Sequence, residues 1–384
     1  MVVGTPEVCR RVNKRNILSE IRNSAPISRT ELSRRVGLSL PSVSRIIGPL
    51  IEEGIVQETG KGTSSLGRKP TLLEINPEYR YVFGVDCSRR ITVMLTDLHL
   101  KTLEEREIEA SPSLGPHKIG HLILEAIEEI RQLHALSPDR IAGIGIATPG
   151  FCFKHLDETE ESPFSGWEST DVVQLFSELI PYRLVIDNIA RASTLAEMSL
   201  GWGKEFSSFF YFFCSWGVGG GYVYNGELVR GEQGSCGEVG HTTVDPQGMV
   251  CYCGNRGCLE QYTSTAFILN ALKKETGQRF TFSEFLARYQ REDSAVLTLL
   301  GRAGFMLGKG IANVINLLNP AAVVLGGELA QFSEYVEEAI CSARENIFSL
   351  RAQNTPILVS RLQERGSALG VASEVVTSLL EDLT

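Results

Sequence analysis

His241, Cys251, Cys253 and Cys258 carry the sharpest chemical signal in the sequence. Nine residues separate the histidine from the first cysteine, then one, then four, so three thiols fall within eight positions around Gly254 and Gly257. Three thiolates and one imidazole at that spacing can close on a single ion and leave no open coordination position. That is the donor set of a structural zinc site rather than a catalytic one. The alternative is four unrelated residues with free thiols. The other cysteines, Cys9, Cys87, Cys152, Cys214, Cys236 and Cys341, stand alone among apolar neighbours and read as small buried hydrophobes.

The chain around this cluster has 384 residues, 43% apolar and 22% charged, enough to bury more than one core and too apolar for disorder. Its length predicts two or three domains. Nine cysteines in that length make no disulfide scaffold, and Met1 to Glu7 shows no basic-then-apolar leader. The uncharged stretch Phe206 to Gly226 is broken by Ser207, Ser208 and Gly219 to Gly221, so it reads as strand, turn, strand rather than a membrane span. The expectation is a cytoplasmic chain with reduced thiols and no membrane contact.

Charge divides the chain unequally. Residues 1–70 hold 12 Lys and Arg against 6 Asp and Glu, and the rest holds 25 against 40. A compact basic head attracts a polyanion that the acidic body repels, which points to a DNA-binding head on an otherwise independent body.

The pattern of the head supports this. Helices are predicted over Asn13 to Asn23, over Thr30 to Val36 with Ser28 or Thr30 as cap, and from a Ser39 cap through Pro41 to a stop at Gly54. The last two, joined through Gly37, have helix-turn-helix spacing, with Leu32, Val36, Leu38, Val43 and Ile46 inward and Ser42, Ser44 and Arg45 facing out. A small, polar, basic outer face suits entry into the major groove. Ile55 to Gln57 and Thr71 to Ile75 read as strands around a tip, Gly60 to Lys69, which makes a winged helix with Arg68 and Lys69 near the DNA backbone or minor groove. A three-helix protein-interaction domain is the competing reading.

From Tyr81 the texture becomes α/β. Tyr81 to Asp86 turns and returns as Ile91 to Leu95. Phe209 to Cys214 repeats the unit, returning through Tyr222 to Tyr224. Ile141 to Ile146 and Leu184 to Asp187 read as further strands of one lobe, Ala321 to Gly327 and Pro356 to Ser360 as strands of the other. Two related lobes around a cleft are expected.

The winged head, followed by Gly234-Ser235-Cys236-Gly237-Glu238-Val239-Gly240-His241 and by Cys251-Tyr252-Cys253-Gly254-Asn255-Arg256-Gly257-Cys258-Leu259-Glu260, resembles the ROK family (repressors, open reading frames and kinases). In particular it is similar to those members that are regulators with a fused DNA-binding head. The resemblance implies an α/β, two-lobed actin/hexokinase-like body behind an N-terminal winged helix-turn-helix domain. The domains then run 1–76 for the head, 77–205 plus the C-terminal helix 367–384 for the first lobe, and 206–366 for the second lobe with the zinc site. It also implies a monosaccharide in the cleft, homodimers or tetramers, and a helix from about Ala368 to Leu380 returning to the first lobe.

The family holds both sugar kinases and sugar-sensing repressors, so the phosphoryl-transfer parts decide between them. Where kinases of the family have Asp-x-Gly-Gly-Thr, this chain has Asp86-Cys87-Ser88-Arg89-Arg90. Where they have Gly-Thr-Gly, it has Ser215-Trp216-Gly217, with an indole in the phosphate path. At the position of the catalytic base stands Ile189, which accepts no proton. The neighbouring Asp187 points elsewhere on a strand.

The expectation is therefore a repressor of carbohydrate-utilisation genes without kinase activity, released from operator DNA by a monosaccharide or sugar phosphate. An ATP-dependent sugar kinase is the alternative, and an adaptor for a protein partner a third reading. The resemblance assigns Asn188, Glu238, His241 and Glu260 to the sugar, with one His241 ring nitrogen on zinc and the other toward the sugar. Glu238 and Glu260 as mere supports of the zinc ligands remain open. Ile189 and Phe164 make the expected pocket more apolar.

Overall fold

The structure, a computed structural model, describes residues 6–61, 70–88, 90–108, 114–149 and 171–384. Arg68, Lys69, Arg89, Cys152 and Phe164 lie outside them. The head consists of α1 (Pro6–Ser24), β1 (Ile27–Ser28), α2 (Arg29–Val36), α3 (Leu40–Glu52), β2 (Val56–Lys61) and β3 (Thr71–Ile75). Ser28 caps α2 by accepting the Glu31 N–H, and Ser39 caps α3 by accepting the Ser42 N–H. Gly37 closes α2 at φ 67°, a conformation that suits glycine, and its N–H reaches the Ser33 carbonyl. α1 begins seven residues before the expected start, and β1, which pairs with β3 in the order β1-β3-β2, was not foreseen. Two residues are too few to show alternation.

The first lobe contains β4 (Tyr81–Cys87), β5 (Ile91–Thr96), β6 (Thr102–Ile108), α4 (Pro116–Leu133), β7 (Ile141–Thr148), α5 (Val172–Leu179), β8 (Leu184–Asn188) and α6 (Ile189–Leu200). The second contains β9 (Phe209–Cys214), β10 (Val218–Tyr224), β11 (Glu227–Val229), α7 (Glu260–Thr263), α8 (Thr265–Thr276), α9 (Phe282–Tyr289), α10 (Ser294–Leu318), β12 (Ala322–Gly326), α11 (Ser333–Asn346) and β13 (Ile357–Val359). α12 (Gly366–Asp382) then returns to the first lobe.

The two sheets repeat one topology, β6-β5-β4-β7-β8 and β11-β10-β9-β12-β13. In each, the opening hairpin and its third strand are antiparallel, and the last two strands add in parallel. β10 starts at Val218, four residues before the expected return strand, because the glycines of the hairpin are themselves in the ladder. α10 is long and apolar enough to cross a membrane, but it packs along α11: Gly304 and Gly308 lie so close to Tyr335 and Ala339 that a Cβ would collide with their carbonyls. It is a core helix.

α12 lies directly on the first sheet. A Cβ on Gly84 of β4 would stand 2.1 Å from the Ala368 carbonyl oxygen, and Gly145 of β7 meets Val371 in the same way. Its other face joins the head: Ile17, Leu18 and Ile21 of α1 share one buried cluster with Val43 and Ile47 of α3 and with Val375, Val376 and Leu379 of α12. The head is therefore not an independent body. Each such aliphatic side chain contributes about 1.5–3 kcal/mol on full burial. The exposed Arg15–Glu381 pair beside the seam belongs to a class worth about 0–1 kcal/mol, so the apolar seam holds head to body.

Cysteine burial is mixed. Cys87 and Cys214 are buried as expected, Cys236 is half-buried, and Cys9 and Cys341 are exposed on α1 and α11. An apolar neighbour in sequence does not decide which face of a helix a residue occupies.

Candidate functional site

A cleft of about 1630 Å³ opens between the two sheets and receives side chains from both lobes. β8 delivers Asn188 and α6 Ile189; the loop after β11 delivers Glu238 and His241; α7 delivers Glu260. All four residues assigned to the sugar thus face one cavity. Trp216, half-buried in the hairpin between β9 and β10, lines it as well.

Asn188 caps α6, its Oδ1 accepting the Ala190 N–H at 2.8 Å and the Arg191 N–H at 3.4 Å. That satisfies orphan donors of the helix and aims the first turn of α6 at the cleft. Ile189 is 6% exposed and packs with Ala147, Ala192 and Val371. Asp187 faces away from the cavity, 3% exposed. Its Oδ1 accepts Arg191 Nε at 2.7 Å and its Oδ2 accepts Arg230 Nη1 at 3.0 Å.

Glu260 is buried, and one of its oxygens accepts the Val218 N–H at 2.8 Å. A Cβ on Gly217 would stand 2.7 Å from the same oxygen, so this hairpin approaches the carboxylate only because it is glycine. Burial pushes the Glu260 carboxyl above its ordinary range. Glu238, by contrast, is exposed at the cleft wall. On the first hairpin, Asp86 is turned inward: it accepts the Ser88 N–H at 2.7 Å and the Ser367 hydroxyl of α12, and burial raises its pKa.

The ligating atoms of His241, Cys251, Cys253 and Cys258 all lie within 4.8 Å of one another. Cys251 Sγ is 3.7 Å from His241 Nδ1, and Cys253 Sγ is 3.6 Å from Cys258 Sγ. Tetrahedral ligation with bonds of about 2.0–2.3 Å separates donor atoms by similar spans, so the set fits one metal ion of zinc's size and preference. Gln261 Nε2 donates to Cys251 Sγ at 3.6 Å, a contact that favours a thiolate. His241 Nε2 lies 3.2 Å from the Tyr252 hydroxyl, whose ring meets the imidazole edge-on. The second ring nitrogen thus faces Tyr252, a cleft residue that the sequence reading missed; its place between two ligands was the available clue.

On the head, Ser44 and Arg45 are exposed on α3, while Ser42 is half-buried with its hydroxyl 2.8 Å from that of Ser39 at the cap. Several head cations are committed internally. Arg34 and Arg35 bond Glu31 and hold its carboxyl down to about 2, and Arg29 pairs with Glu58.

The sequence pattern of the ROK family matches residues 82–377, and that of winged helix-turn-helix DNA-binding domains matches residues 10–57. The chain is 31% identical over 386 residues to the xylose repressor of Bacillus subtilis (strain 168), covering the full length of both. It is 27% identical over 393 residues to the DNA-binding transcriptional dual regulator NagC of Escherichia coli (strain K12), covering 99% of this chain and 96% of that one. Among solved structures, a ROK family transcriptional regulator described as a homolog of the E. coli MLC protein superposes with a TM-score of 0.77 at 25% identity, over 97% of each chain.

Proposed function

The chain belongs to the ROK family, and from that premise we propose that it is a sugar-responsive, DNA-binding transcriptional repressor acting in the cytoplasm. One observation carries the reading: a winged helix-turn-helix head and a complete two-lobed ROK body occur in one chain whose full length matches a xylose repressor. Two copies would present two α3 helices to successive half-sites of an operator, with Ser42, Ser44, Arg45 and the wing residues Arg68 and Lys69 as the contacts. A monosaccharide or sugar phosphate would bind between the lobes against Asn188, Glu238, His241 and Glu260. It releases DNA if it binds more tightly to the arrangement in which the heads fit the operator poorly.

His241 Nδ1 and the sulfurs of Cys251, Cys253 and Cys258 would hold zinc, which supplies a closed four-ligand crosslink and no reactive position. The chain's own residues do the rest. The crosslinked segment carries His241 and Tyr252 on the cleft wall, and Glu260 fastens it to the glycine hairpin.

The absence of kinase activity is part of this reading. Support comes from Ile189 in its apolar cluster and from Asp187, whose two oxygens are occupied by arginines. Neither side chain is available to take a proton from a sugar hydroxyl in the cleft.

The test uses the purified chain and an operator it selects from random-sequence DNA, measured by fluorescence anisotropy with D-xylose, N-acetyl-D-glucosamine and their phosphates. Salt-sensitive binding weakened by one of these sugars supports the reading. ATP-dependent turnover of a sugar in a coupled assay would replace it with the kinase, and DNA release only on adding a protein partner would replace it with the adaptor.

A further inference from the structure

If a sugar in the cleft alters DNA binding, some element must carry the change across the body to the head. We propose that α12 is that element, latched to the second lobe through Arg230 and Glu374 and to the head through Arg22 on Ser373 and Thr377. The proposal rests on the repressor reading above and names how its site is coupled.

Arg230 follows β11 in the second lobe and opens the loop whose residues Gly234 to Glu238 line the cleft. Its guanidinium crosses to the first lobe, donating to Asp187 at 3.0 Å and pairing with Glu374 on α12. Arg191 makes a second crossing in the other direction. Bound to Asp187, it also donates through Nη1 to the Gly234 carbonyl at 2.8 Å. Two guanidiniums thus share one buried carboxylate and tie the cleft loop to α6 and α12. The remaining oxygen of Glu374, Oε2, is buried without a hydrogen-bond partner among the described residues. A loop movement that withdrew Arg230 would take the shared cation from buried Asp187 and half-buried Glu374, so loop position and α12 position are energetically linked.

The residue before Glu374 faces the head. Ser373 accepts Arg22 Nη2 through both its carbonyl, at 3.1 Å, and its hydroxyl, at 2.9 Å, and Thr377 accepts Nη1 at 2.5 Å. Arg22 is half-buried, and these partners on α12 are neutral oxygens, so its position follows that of the helix. α1 in turn shares its core with α3. Close-packed elements move as units between discrete arrangements, and a shift of α12 is transmitted through α1 to the recognition helix.

The experiment uses the full chain, its selected operator and the sugars named above. Calorimetry reads sugar affinity, and anisotropy reads operator affinity with and without saturating sugar. The wild-type ratio is expected in the usual range of allosteric coupling, roughly 5–150-fold. Arg230→Gln, Glu374→Gln and Thr377→Val should each keep sugar affinity and sugar-free operator affinity near wild type while that ratio falls toward one. Thr377→Val preserves shape and covers the case in which a latch variant fails to fold. Undiminished ratios in all three variants overturn the role of α12, and so does loss of sugar binding in Arg230→Gln, which would make Arg230 part of the pocket. A wild-type chain that selects no DNA, or whose operator affinity no sugar alters, instead overturns the repressor reading and the coupling with it.

Discussion

The carboxylate of Glu260 accepts the backbone N–H of Val218 at 2.8 Å, which fastens the segment after the cysteine cluster to the glycine hairpin at the floor of the cleft. The two residues are 42 apart in sequence and belong to different elements. One side chain thereby serves architecture, whatever it also offers a sugar.

Glu260→Ala should accordingly cost stability as well as sugar response. Leaving the buried Val218 donor unsatisfied costs about 1–3 kcal/mol, readable as a lower denaturant midpoint without added sugar. Glu260→Gln keeps an acceptor oxygen and should lose much less. Equal midpoints for Ala and Gln would refute the brace.

The cysteine cluster predicts a metal content of one zinc ion per chain by elemental analysis. Chelation, or Cys253→Ser, should lower the thermal midpoint and expose additional titratable thiols, because the ligand set crosslinks a loop rich in turns. Cys9→Ser, on the exposed face of α1, should leave the thermal midpoint unchanged and subtract one thiol from the native count without exposing others. A metal-free protein with a midpoint indifferent to chelator would remove zinc from the account.

On the head, Arg45→Ala should weaken operator binding by about 1–3 kcal/mol if the guanidinium reads a base edge. If it contacts phosphate instead, the log–log salt dependence should flatten by about 0.9. Arg34→Ala, whose guanidinium is already committed to Glu31, should have the smaller effect. The reverse ranking would move the DNA surface from α3 to α2.

Burial and the charge of Asp187 push the Glu374 carboxyl up to about 7, from an ordinary 4.5, even with Arg230 alongside. Between those values the folded chain binds more protons than the unfolded one. The contribution of this group to stability is therefore complete below pH 4.5 and is lost as pH rises through about 7. Denaturation midpoints measured across that window should fall with pH in the wild type, and Glu374→Gln should fall less. An identical slope in the variant would assign the pH dependence to other groups.

Local signals were legible where neighbours in sequence are neighbours in space. The Ser39 cap, the Gly37 turn and the Cys251–Cys258 spacing lie within a few residues of their partners, so residue type and interval sufficed. The repeated hairpins at Tyr81 and Phe209 likewise announced two lobes, since strand period and glycine turns are written locally. β6 and β11 went unread: β6 is charged along its length and β11 has only three residues.

What the sequence determined alone was a basic winged head, an α/β body in two related halves, and a Cys3His cluster of the kind that could hold a metal ion. Only the tertiary structure decided what becomes of the charges and polar groups that remain. Asp187 meets Arg230 from 43 residues away, Arg22 docks on α12 more than 350 residues later, and His241 turns its second nitrogen to Tyr252. Long-range partners of this kind follow from how sheets and helices stack, and burial selects whichever donor the packing brings within reach of each acceptor.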